Sequence, residues 1–136
     1  MNPVTINYLA VLVCGLIGLP LGAIWYGPLF GKIWMKEVGK TEEELKKNFN
    51  PAKTYTLAFI ASLFTVFVLA YFISLTNATA IIEGFRVAVT AWFGFTLFTA
   101  VLVNLFERNS FKLLLINSFY HLTLLIVASI ILILWG

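Results

Sequence analysis

Charged side chains along the chain gather in short clusters separated by long uncharged runs. Residues 1–31, 54–82, 87–106 and 113–136 contain no Asp, Glu, Lys or Arg. A helix crosses a hydrocarbon core of about 30 Å in about 20 residues, so each run is long enough to span a bilayer. The runs are apolar all round and do not alternate, which excludes the strands of a membrane barrel. The pattern predicts an all-α membrane protein with four transmembrane helices, over about residues 8–27, 51–74, 83–105 and 112–135. Asn50-Pro51 supplies an N-cap and a first-turn proline for the second span. Thr76-Asn77-Ala78-Thr79 and Glu107-Arg108-Asn109-Ser110 are the polar breaks on either side of the third.

The first connection has a pattern of its own. Leu29, Phe30, Ile33, Trp34 and Val38 recur at helical spacing, with Lys32, Lys36 and Lys40 on another face. This predicts an amphipathic helix over about residues 28–39 lying in the headgroup region, as an anchor covering one end of the bundle, a gate or a lipid-binding collar. Thr41-Glu42-Glu43-Glu44 reads as a capping box opening a short polar helix over about residues 42–48.

Composition sharpens this picture. The chain is 61% hydrophobic and 11% charged, with a mean hydropathy of +0.97, against about a quarter charged in a soluble domain. Four spans leave almost no chain for a second domain, so 1–136 is expected to be one transmembrane unit. The first basic residue, Lys32, follows the first apolar run, the reverse of a signal peptide's order; that run is expected to remain as a span. Of nine basic residues, eight fall in the first and third connections; the other is Arg86. Short loops rich in Lys and Arg stay cytoplasmic. The expected orientation in a cytoplasmic (inner) membrane has both termini outside and the basic loops inside. A net charge of +3 is too small and scattered for nucleic acid. A single cysteine, Cys14, excludes an internal disulfide and a cysteine-based metal cage.

Lipid tails give helices no hydrophobic reason to associate, so small residues that allow close approach mark contacts. Ala10, Cys14, Gly18 and Gly22 stand four apart in the first span; Ala58, Ser62, Ala70 and Ser74 follow that spacing in the second, with Val66 interrupting. The two stripes are expected to meet within one chain, a homodimer face being the alternative. Pro20 is expected to bend the first span.

Polar residues inside the spans are the candidates for chemistry. His121 lies nine residues beyond Lys112, about 13 Å along the helix and so near mid-depth. Asn117 precedes it by one turn on the same face, with Ser118 and Tyr120 beside them. Asn104, at a similar depth on the third span, is expected to converge with Asn117 and His121, with Trp25, Tyr26 and Tyr120 as walls. An intramembrane ionisable residue points to a proton relay, a haem ligand or a head-group donor, or to an interhelical pin. Catalytic signals are poor: there is no aspartate, and no nucleophile–base pair has recognisable spacing. One histidine without a second strong ligand also argues against zinc.

The blocks Trp25-Tyr26-Gly27-Pro28-Leu29-Phe30-Gly31-Lys32-Ile33-Trp34-Met35, Asn50-Pro51-Ala52-Lys53 and Asn117-Ser118-Phe119-Tyr120-His121-Leu122 carry a resemblance. Through them nearly the whole chain resembles a family of small prokaryotic membrane proteins known as domain of unknown function 1761. Gly27 stands where that resemblance leads one to expect serine. The resemblance implies four spans in a prokaryotic inner membrane and implies no activity. Two functional classes stay open. One is a subunit of a homo-oligomeric permeation pathway for ions, protons or small solutes, lined by His121 and the asparagines. The other is a binding or redox module holding a lipid, quinone or haem against His121 and Trp92. An accessory subunit of a larger complex is a third.

Overall fold

A computed structural model describes residues 4–136. Among the described residues there is no strand, and four helices are long and apolar enough to cross a membrane: Tyr8–Leu29, Pro51–Leu75, Ile81–Glu107 and Phe111–Trp135. These are the first to fourth spans. Large apolar side chains such as Leu9, Leu16, Phe64, Phe95 and Leu105 cover the outer surface, as expected where the surroundings are lipid tails.

Polar caps fix the helix ends. The Asn7, Asn50 and Ser110 side chains accept from the backbone N–H three residues on, at 3.1–3.2 Å, and so open the first, second and fourth spans. Between the first two spans lie an eight-residue helix, Gly31–Val38, and a shorter one, Glu42–Lys46. The first ends on Gly39 at φ +72°, the left-handed stop that glycine favours. Residues 28 and 29, expected in this loop helix, instead finish the first span. The second opens with the Thr41 hydroxyl accepting from Glu44 N–H at 3.2 Å. Its fully exposed Glu42–Lys46 pair holds the Glu42 carboxyl below its usual value, chiefly through their hydrogen bond.

Two spans change pitch. The first becomes a π-helix over Trp25–Leu29 and the third over Trp92–Leu97. In the first, Pro28 has no N–H, and Phe30 N–H reaches back five residues to Trp25 O at 2.9 Å. No left-handed or cis residue occurs there; the helix widens while remaining a helix.

The core lies toward the end of the bundle that carries the termini. It joins Ala10, Val11 and Cys14 of the first span to Val66, Leu69, Ala70 and Ile73 of the second, Ala88 and Trp92 of the third, and Leu125, Ala128 and Leu132 of the fourth. Gly18 is pressed against Ser62; a Cβ there would stand 2.6 Å from the Ser62 hydroxyl. The stripes therefore touch at that point, and Ala10 and Cys14 share the buried core with Ala70, while the members nearest the lysine-rich end part. Gly22 faces Tyr120 of the fourth span, and Ala58 is exposed. Gly15, outside both stripes, lies against the Leu63 backbone. Gly84 seats the third span on Ile133 of the fourth, where a Cβ would stand 2.7 Å from Cγ1.

Toward the lysine-rich end the packing loosens. Residues 51–58, two full turns of the second span, are exposed on every face, and no residue of Phe98–Glu107 is buried. The fourth span is held there by the first span and the loop helix instead.

Candidate functional site

The two π-helical segments open on the same sequence, tryptophan–aromatic–glycine: Trp25-Tyr26-Gly27 and Trp92-Phe93-Gly94. Both tryptophans reach the fourth span. Trp25 Nε1–H donates to Ile116 O at 2.9 Å, and Trp92 Nε1–H donates to Ser118 O at 2.6 Å. A carbonyl has two lone pairs, so each can accept from an indole besides its helical partner. Sequence reasoning missed this clamp; the repeated tryptophan–aromatic–glycine triplet was the available signal.

Beside the clamp, Tyr26 OH donates to Asn117 Oδ1 at 2.7 Å, and Tyr120 OH donates to Gly18 O at 2.8 Å. The Tyr26 and Tyr120 rings stand 5.6 Å apart, and Trp25 lies 6.3 Å from Tyr120. Asn117, Tyr120, Trp25 and Tyr26 thus form one cluster that binds the end of the first span to the fourth.

Among the described residues no hydrogen bond joins Asn104, Asn117 and His121, which were expected to converge; each meets a different partner. Asn104 spends its amide on the turn, donating to Asn109 O at 3.0 Å and Ser110 O at 3.3 Å. Arg108, at φ +58°, makes that turn tight enough for the asparagine to reach across it. The Asn117 oxygen is taken by Tyr26. His121 stacks edge-on against Tyr120, with centroids 5.3 Å apart, and its side is exposed. Its neighbours one and two turns on, Leu124, Leu125 and Ala128, are buried.

Register explains why. His121 is ten residues into the fourth span, and Ala61 is ten residues into the parallel second span, so both lie about 15 Å from their helix starts. The second span is in close contact with the first at Ser62 and has no buried residue before it. His121 therefore sits where the second span leaves the bundle.

Ser118 is fully buried, and its hydroxyl has no hydrogen-bond partner. Past His121, the buried face of the fourth span is Leu124, Leu125, Ala128, Ser129 and Leu132; the Ser129 hydroxyl is bonded to its own helix at Ile126 O. A recess of about 480 Å³ opens among Thr5, Asn7, Ser74, Asn77 and Thr79 at the terminal end. Among the described residues no three His, Cys, Asp or Glu side chains gather to hold a metal ion.

Four apolar spans around a shared core define a multi-pass membrane protein. The chain belongs to the family described as "Protein of unknown function (DUF1761)", whose match covers residues 9–133. No curated protein and no solved structure matches it.

Proposed function

We propose that this protein is a membrane-embedded binding module that holds the polar end of an amphipathic ligand, a lipid or a quinone, against His121. The carrying observation is the exposure of His121 at the depth where the second span departs. An ionisable side chain facing lipid at mid-depth is costly unless a polar partner covers it. The second span's departure leaves room for such a partner to enter sideways from the bilayer. Tyr120 forms one wall and is itself fixed by Gly18 O.

The polar side chains also favour binding over passage. From the lysine-rich end they run Tyr26, Asn117, Tyr120, His121, and beyond His121 the packed face is apolar apart from the internally bonded Ser129. A polar lane that ends at mid-depth suits a seated head group better than a solute in transit. In this reading the lysine-rich loops face the cytoplasm of a prokaryotic inner membrane, supported by the Lys/Arg asymmetry.

The test is extraction from native membranes followed by mass spectrometry of co-purifying lipids and quinones. A ligand retained near one per chain, and lost in His121→Leu without a fall in melting temperature, is expected. Equal retention by the variant overturns the reading. Solute or proton flux in proteoliposomes that His121→Leu abolishes moves the protein to the permeation class, with a second copy completing the lane. A visible absorption band in the purified protein moves it to haem.

A further inference from the structure

At the lysine-rich end, a separate slot of about 290 Å³ lies between the loop helix Gly31–Val38 and the start of the fourth span. Phe30, Ile33, Leu115 and Ile116 make its apolar lining. Lys36 and Lys112 stand on it from opposite elements, with one carboxylate, Glu37. Among the described residues the ion pair present is Lys46–Glu42, so neither slot lysine is paired. Lys112 is placed unfavourably on its own helix: it is the second residue of the fourth span, at the positive end of the dipole, and that first turn holds no acid. A negative charge beside Lys112 would satisfy the ammonium and the helix end together.

We propose that this slot binds an anionic phospholipid of the adjoining leaflet, its phosphate between Lys36 and Lys112 and one acyl chain along Phe30, Ile33, Leu115 and Ile116. Two features select a lipid over a free anion. The lining is mostly apolar, which a hydrated phosphate would not use. The slot also lies where the fourth span begins, and the end of an apolar span is the level at which phosphate head groups stand. Basic recesses between helices at that level suit anionic lipids. Glu37 offsets one lysine and leaves the slot with a single net positive charge, matching a singly charged head group. The binding at His121 is a different place on the molecule, and neither proposal depends on the other.

The experiment compares phosphatidylglycerol with phosphatidylcholine of identical chains, added to the delipidated protein in detergent, with retention read by native mass spectrometry. Phosphatidylglycerol should be retained preferentially. Lys36→Gln and Lys112→Gln should each lower its retention about fivefold. The single controls Lys40→Gln and Lys47→Gln each remove the same charge elsewhere and should leave retention unchanged. Leu115→Trp fills the slot with both lysines in place and should lower retention of phosphatidylglycerol. Melting in lipid-free detergent verifies that each variant is folded. Equal retention of the two lipids, or equal loss in slot and control variants, overturns the proposal. So does displacement of the lipid by millimolar inorganic phosphate, which would make the slot a free-anion site.

Discussion

Ser118 is the residue whose chemistry is least satisfied. A buried hydroxyl without a partner costs about 1–3 kcal/mol, and Ser118 Oγ is in that position while its carbonyl holds Trp92. Ser118→Ala should therefore keep or raise the melting temperature, and a clear fall would show that the hydroxyl is bonded in the membrane. Trp25→Phe and Trp92→Phe each remove one indole donor to the fourth span. Each should destabilise by about 1 kcal/mol, read as a lower midpoint of thermal unfolding in detergent. At this scale the sequence was only partly legible. Depth along a helix identified His121, Asn117 and Asn104 as polar and inward candidates, but depth says nothing about competing partners. Asn104 was within reach of its own turn, and Asn117 within reach of a tyrosine at the end of the first span. Local and cross-span bonds took both amides before a three-residue cluster could form.

Among elements, the close approaches differ in strictness. At Gly18 a Cβ would meet the Ser62 hydroxyl, which can rotate, and the Ser62 Cβ at 3.1 Å, which cannot, so Gly18→Ala asks the two helices to part by a few tenths of an ångström while Gly18→Leu separates the first two spans. At Gly84 the obstacle is the branched Ile133, packed beside Ser129 O. Gly84→Leu should cost about 1–3 kcal/mol by overpacking, with a lower melting temperature as the readout; unchanged melting would mean that the third span does not sit on the fourth there. The four spans were legible from charge-free runs alone, because a hydrocarbon core tolerates little else. The π-helical segments were not, since nothing in hydrophobic periodicity separates a widened turn from an ordinary one when every face is apolar. Pro28 signalled a lost bond but not that the ladder would slip to the fifth residue. Small-residue spacing pointed to Gly18, which lies against Ser62, yet it treated a four-residue repeat as a straight line. A helix turns by about 400° in four residues, so the stripe winds round the axis, and Gly22 arrives at Tyr120 instead of at the second span.

For the whole molecule, orientation is the first property to measure. In a Cys14→Ser background, single cysteines at Lys46 and at Asn77 should label from opposite sides, with Lys46 on the cytoplasmic side. Labelling of Asn77 from the cytoplasm reverses the topology. Orientation then decides what the uneven packing does to the surrounding bilayer. The bundle is compact at the terminal end and spread at the lysine-rich end, where the second and third spans lose their buried contacts. Such a body has a larger cross-section in one leaflet than in the other. It is a wedge, and a wedge responds to lateral pressure. Cone-shaped lipids that crowd the acyl region of the spread leaflet would squeeze the second span inward over His121, and lysolipids, which relieve that pressure, would let it swing further out. The accessibility of His121 would then follow the membrane's mechanical state, through how closely the second span lies over the fourth.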